Sequence, residues 1–473
     1  MGRRSRAFGV PARTRIGTSR AIAAAPARRL GCDPMWTKVR IATSGGLALL
    51  IAPITTGAQD RPIAFVGARI YTVAGAPVDD GVLVVQGGKI LAVGPAARVT
   101  IPPGAETRDV RGRVLLPGLV DTHSHIGGPG AADQADPVQP ECRVLDAINV
   151  RDAGWQKAQA GGLTTVNIMP GSGHLLSGQT IYVKLKDAAS IEEAAVRNAD
   201  GTIAGGMKMA NGTNSHKEPP FPGTRGKSAA IIRTRFVAAQ EYKRKLDAKG
   251  DPEKMPERDL AKEALVEVLQ GKRVVHHHTH RHDDVLTVLR LQREFGFRVV
   301  LHHVSEAWKV AEEIAAAKAP CSIIVIDSPG GKHEAVDLDW KTGGVLEKAG
   351  VLVGFHTDDG ITDSRVFLRS GALAIRAGMS PTAALYGLTM AGARMLDMQD
   401  RVGTLEPGKD ADFILLSGEP FAVATLVQET WIEGVRVFDR SNAQDRLWAE
   451  GGYGASRPQA FTWCCYDDEG AEQ

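Results

Sequence analysis

The stretch Val114-Leu-Leu-Pro-Gly-Leu-Val-Asp-Thr-His-Ser-His-Ile126 constrains this chain more than any other. An apolar run ends abruptly in Asp121, His123 and His125. Residues two apart on a strand share a face, so both imidazoles project together. A strand that happens to end in polar residues would account for one such pair. The pattern recurs, however, at the ends of later apolar runs. Arg273-Val-Val-His-His-His278 and Arg298-Val-Val-Leu-His-His303 each end in histidine, and Val351-Leu-Val-Gly-Phe355 leads into His356-Thr-Asp-Asp-Gly360.

These runs belong to an alternation of strands and helices that favours a parallel sheet. Strands are expected at 114–126, 163–169, 179–185, 202–209, 273–278, 298–303, 321–326 and 351–355. Helices are expected at 146–160, 227–249, 257–270, 284–295 and 306–317, with the charged 227–249 helix a candidate lid. Eight strands in this order predict an α/β fold, a (β/α)8 TIM barrel. Residues 62–113 instead read as short strands broken by Gly, Pro and Asp. Matching strands at 411–417 and 430–438 predict a small β-sandwich built from both chain ends, with the barrel inserted. The expected divisions are 59–113 and 401–440 for the sandwich, 114–400 for the barrel and 441–473 for a tail.

Upstream, residues 35–58 have a basic start, a short apolar stretch and small residues ending at Ala58, the layout of a secretory signal peptide. The apolar run is shorter than the roughly 18 residues a membrane span needs. Export to the periplasm or medium is therefore expected, with Met35 as the start and residues 1–34 as an extension; an Arg-rich transit-like leader is the rival. The formal net charge of +3 reflects the arginines of that extension, and the remainder is slightly acidic. Nothing points to a nucleic-acid partner. The cysteines (Cys32, Cys142, Cys321, Cys464, Cys465) form no dense disulfide framework. The adjacent Cys464-Cys465 pair reads as an incidental tail rather than a metal site.

The catalytic face of such a barrel is where its strands end. His123 and His125 from strand one, His278 from strand five, His303 from strand six and Asp358 from strand eight meet there. This donor set suits a divalent metal, zinc first, with Mn2+, Co2+ or Fe2+ also compatible. A bound ion lowers the pKa of water from about 15.7 to near 7. Asp358 can then serve as general base.

The motifs Leu116-Pro-Gly-Leu-Val-Asp-Thr-His-Ser-His125, Gly161-Gly-Leu-Thr-Thr-Val166, His278-Thr-His-Arg281, Leu301-His-His-Val-Ser-Glu306, Thr357-Asp358 and Arg401-Val-Gly-Thr-Leu-Glu-Pro-Gly-Lys-Asp-Ala-Asp412 resemble the amidohydrolase superfamily. The resemblance is to its imidazolonepropionase-related, Xaa-Pro dipeptidase-like branch, and covers residues 62–440. It implies ligation by His123 and His125 at one site and by His278 and His303 at a second, with Asp358 as ligand and base. It also selects His278 over His276 and His303 over His302. A carboxylated lysine bridges two metals in many relatives. Lys208 stands in that slot by strand count, with Lys184 as competitor; with neither bridging, the site would be mononuclear.

His280 and Arg281 follow on the loop as substrate-orienting candidates, Arg281 equally as a surface ion-pair residue. The glycine-rich loop Pro170–Gly178 matches no phosphate-binding spacing and reads as a plain flexible loop. The expected activity is metal-dependent hydrolysis of a carbon–nitrogen bond in an amide, cyclic amide or dipeptide-like substrate. A mononuclear aminohydrolase or deaminase is the alternative, disfavoured by His280 where a proton-shuttling glutamate would stand. A non-catalytic barrel scaffold is a third reading, set against the intact donor set. The partner is a small molecule or short peptide, and a homodimer is the default assembly.

Overall fold

The computed structural model describes residues 61–130, 133–248, 255–325 and 332–451. The expected extension, the signal peptide and the Cys464-Cys465 pair lie outside these residues. No described helix is long and apolar enough to cross a membrane.

Among the described residues seventeen strands run in chain order. The first five are β1 (Ile63–Ile70), β2 (Val78–Gln86), β3 (Lys89–Pro95), β4 (Glu106–Asp109) and β5 (Val114–Pro117). Then come β6 (Leu119–Ser124), β7 (Leu163–Ile168), β8 (Leu176–Gln179), β9 (Ile181–Lys184) and β10 (Met207–Ala210). β11 (Val275–Thr279), β12 (Val299–His303), β13 (Cys321–Ile323) and β14 (Val353–Phe355) follow, and β15 (Phe413–Leu416), β16 (Val427–Ile432) and β17 (Val435–Asp439) complete the set.

Strands from the first and last described segments enter one eight-stranded sheet in the order β17-β16-β15-β5-β1-β2-β3, with β4 also paired to β1. β15 closes it by pairing antiparallel to β5, from Phe413 opposite Pro117 to Leu416 opposite Val114. Its core is apolar. Phe413 stacks on Trp431 at 5.5 Å between ring centres, and Phe65 meets both edge-on at 4.9 and 5.1 Å. Such pairs add about 0.5–1.5 kcal/mol beyond area burial.

The middle of the chain is mixed α/β. A six-stranded sheet runs β14-β13-β12-β11-β10-β8, and a three-stranded sheet runs β6-β7-β9. The pairs from β10 to β14 are parallel, as is β6 with β7. Their residues are buried without alternation, as strands covered on both faces require. The two sheets meet where Asp358 N–H donates to His123 O at 2.9 Å and Thr122 Oγ1 donates to Phe355 O.

The third expected strand departs from the prediction of a uniformly parallel set. β8 pairs antiparallel to β10, and β9 pairs antiparallel to β7. Between them Thr180 N donates to Gly206 O, and Gly206 N donates to Thr180 Oγ1. The close approach needs glycine: a Cβ at Gly205 would stand 1.9 Å from Thr180 O. Apolar content predicted a strand here but carried no information about its direction.

The long helix Arg225–Asp247 starts at the Thr224 cap. It is no free lid. Ile232, Phe236, Ala239 and Tyr242 make a buried stripe, and Phe236 stacks on Phe295 and Phe297. The helix expected at 306–317 is a 3-10 turn followed by Ala311–Ala316. The helices at Thr342–Lys348, Leu368–Arg376, Pro381–Leu388 and Met390–Met395 were not foreseen.

Lys184 ties β9 to the C-terminal link. Its Nζ lies 2.6 Å from Asp412 Oδ2 and 2.9 Å from Asp410 Oδ2, with all three side chains 2% exposed. Lys89 and Arg401 also reach Asp410. Burial alone would raise the Asp410 carboxyl, but Lys184 and Lys89 hold it at about 2. Lys184, the rival bridging lysine, is thus engaged away from the histidines. Removing one partner of a buried pair strands the other charges. Lys184→Met is expected to lower stability by about 3–5 kcal/mol in urea denaturation; an unchanged midpoint would show that the cluster does not stabilise the fold.

Candidate metal centre

The ends of β6, β10, β11, β12 and β14 converge on one buried cluster of imidazoles. Three sets of side chains each bring one ligand atom per residue within 4.8 Å of one another: His123, His125 and Asp358; His278, His280 and His303; and His123, His303 and His356. Asp358 Oδ1 lies 3.0 Å from His125 Nε2 and 3.4 Å from His123 Nε2. Lys208 Nζ stands 3.0 Å from His123 Nε2 and 3.1 Å from Met169 Sδ.

The backbone is set for this convergence. His303 and Asp358 adopt positive φ values of 68° and 50°, which non-glycine residues seldom do. Asp121 accepts from His123 N, Thr357 N and the Thr357 hydroxyl at 3.1, 3.1 and 2.5 Å, fixing the two strand ends that carry the first set. Burial pushes its carboxyl up to about 7 against those hydrogen bonds. Met169 O faces His125 Nδ1 at 2.8 Å.

Electrostatics favour neutral rings. Burial, before any neighbouring charge, holds His123, His278, His280 and His303 well below the usual imidazole range and His356 at about 3. Burial would raise the Asp358 carboxyl, yet His125, His356 and Lys208 carry it well below its ordinary value. Neutral imidazole beside ionised carboxylate is a metal-binding donor set. Ring nitrogens of His123, His278, His280 and His303 are buried with no hydrogen-bond partner, as is Asp358 Oδ1. Buried polar atoms normally find partners, so a group of orphans within one cluster of side chains fits a cation.

Comparison with known proteins agrees. Residues 342–443 match the model of the amidohydrolase family. The structure of an amidohydrolase from Thermotoga maritima MSB8 is 34% identical, with TM-score 0.75, over 80% of this chain and 100% of that one. The chain belongs to the amidohydrolase superfamily. It is accordingly a hydrolase acting on carbon–nitrogen bonds, in a family that generally depends on metals.

Two further relatives fall within the same superfamily. An imidazolonepropionase from Rubrobacter xylanophilus is 27% identical over 388 residues, 71% of this chain and 84% of that protein. Amidohydrolase tasK of Hapsidospora irregularis is 28% identical over 377 residues, but the chain spans only 38% of its length. A prolidase structure at 17% identity and TM-score 0.53 shares the fold.

Among the residues expected from sequence, this amidohydrolase brings together His123, His125, Lys208, His278, His303, Asp358 and His280. His280 sits among the candidate ligands, its ring centre 4.7 Å from that of His278. Arg281 does not join them. It flanks the helix His282–Phe295 and forks onto Asp283, with Nε to Oδ1 at 3.0 Å and Nη2 to Oδ2 at 2.9 Å, 40% exposed. This geometry fits the surface ion-pair reading of Arg281. The Pro170–Gly178 loop is largely buried rather than a loose surface loop. Its Ser172 accepts from Asn214, whose amide also contacts His278 Nε2.

Sequence reasoning missed His356, although it stands two residues before Asp358 in the same motif. It also missed an inner chain in which Tyr182 OH meets His276 Nε2 at 2.9 Å and His276 Nδ1 meets His302 Nε2 at 3.0 Å. His277 turns the other way, towards Ile232 and Asp284. An exposed ion pair contributes about 0.2–1 kcal/mol. Arg281→Ala is therefore expected to cost less than about 1 kcal/mol in urea denaturation and to leave metal uptake unchanged; loss of bound metal would return Arg281 to the site.

Proposed function

We propose that this amidohydrolase uses a divalent cation, zinc by donor chemistry, to hydrolyse an amide, cyclic amide or dipeptide-like carbon–nitrogen bond. The observation that carries the reading is the buried convergence of His123, His125 and Asp358 beside the second imidazole set. The finer architecture proposed with it is a (β/α)8 barrel, its third strand reversed, inserted into a β-sandwich built from both chain ends. This is consistent with the parallel run β10 to β14 and the shared terminal sheet.

His123, His125 and Asp358 would hold one cation, and His278 and His303 a second, with Lys208 as the bridging candidate. A bound divalent ion supplies acidified water near neutral pH and polarises the carbonyl under attack. Asp358 takes the water proton on its carboxylate and hands it to the leaving nitrogen. Burial of the cluster excludes bulk water, which strengthens each electrostatic contact there. Burial keeps the His123 ring neutral, so the ionised Asp358 carboxylate is the base available beside it. His280 stands where an aminohydrolase would need a glutamate, which favours amide cleavage over deamination.

The test is a screen of the zinc-, manganese- and cobalt-loaded enzyme against N-acyl amino acids, dipeptides, lactams and hydantoins. At least one class should be cleaved, and a chelator should abolish the activity. Asp358→Asn should retain metal while kcat falls about 10²–10⁴-fold, the usual contribution of a general base. Undiminished turnover in that variant would exclude Asp358 as the base. Ammonia released from an aminated ring would support the deaminase alternative instead.

A further inference from the structure

We infer that His280 completes a three-imidazole cation site with His278 and His303, a donor set that holds the second ion whether or not Lys208 bridges. The inference rests on the metal-dependent reading above and goes beyond its ligand set. One ring nitrogen from each of the three residues lies within 4.8 Å of the others, and all three rings are buried. His278 Nδ1, His280 Nε2 and His303 Nε2 make no hydrogen bond. Their ring centres are separated by 4.7 Å (His278–His280), 4.4 Å (His278–His303) and 5.0 Å (His280–His303).

A chain of hydrogen bonds fixes which nitrogen of His303 is free to bind. The Phe355 carbonyl can only accept, so Thr122 Oγ1 donates to it at 3.3 Å. Thr122 then accepts from Ser322 Oγ at 2.6 Å. Ser322, its proton committed, accepts from His356 Nδ1–H at 2.8 Å. A neutral His356 therefore carries its lone pair on Nε2, which accepts from His303 Nδ1–H at 3.2 Å. The lone pair of His303 is left on Nε2, the orphaned nitrogen.

The same chain occupies both nitrogens of His356 and withdraws it from the His123, His303, His356 set. His356 is a positioning residue. His280 is backed in the same manner, with Nδ1 at 2.8 Å from Ser305 Oγ and Nε2 orphaned. His278 Nε2 is faced by the Asn214 amide at 3.2 Å, whose oxygen and nitrogen exchange by a flip. A ligating histidine with its other nitrogen tied in this way is the usual arrangement around protein-bound metals. Lys208 reaches the first site, against His123, and the second set has three donors without it. Three neutral nitrogen donors suit zinc or cobalt.

The experiment demetallates the full-length protein, titrates it with Co2+ and Zn2+, and measures stoichiometry by elemental analysis and Co2+ d–d absorption, with circular dichroism as the folding control. Wild type and Lys208→Met are expected to bind two equivalents, and His280→Asn one. Ser305→Ala should bind the second Co2+ about 10–100-fold more weakly, which keeps the test open if His280→Asn does not fold. Two equivalents in His280→Asn with unchanged affinity would overturn the inference, as would one equivalent in Lys208→Met. One equivalent in wild type would overturn it while leaving the hydrolase reading intact. Wild type binding none would sink both.

Discussion

The centre depends on the seam where the end of β6 meets the end of β14. These strands belong to different sheets, and they are held together by Asp121, which receives three hydrogen bonds from His123 and Thr357, and by the His123 carbonyl, which receives the amide of Asp358. His123, His125 and Asp358 come from the two sides of that seam. A buried acceptor satisfied three times rigidifies its surroundings, whereas partial satisfaction would be costly. The unusual backbone of Asp358 persists because the seam over-determines it.

Around the seam the protein concentrates imidazole rather than charge. Burial keeps the rings neutral, which lets several of them crowd together without repulsion. Hydroxyls of Thr122, Ser305 and Ser322 supply orientation at little electrostatic cost. A separate charged cluster, Lys184 with Asp410 and Asp412, joins β9 to the C-terminal link. The two kinds of polar interior therefore divide the work, one gathering ligand candidates and the other fastening the parts.

Much of this was legible in the residues. A short apolar run ending in histidine marks a buried strand with a polar tip, so β6, β11, β12 and β14 and their ligand candidates could be read directly. Other features were hidden because they depend on long-range packing. The reversal of β8 and β9 is accompanied by the Thr180–Gly206 contact, which no local pattern encodes. Arg281 was open to two readings because a loop arginine's partner is decided by where the following helix begins. His356 was overlooked for want of a second observation, since its importance lies in Ser322 and His303, both distant in sequence. The apolar stripe of Arg225–Asp247 was present at helical spacing but masked by its many charges.

The pairing of β5 with β15 has a consequence for biosynthesis. The two partners are separated by roughly 300 residues, so the ribosome finishes β5 long before its neighbour exists. Throughout that interval Val114, Leu115 and Leu116 present an unsatisfied, greasy margin, the kind of surface that recruits other nascent chains. A chaperone that shields this margin until the last strands emerge would limit such association.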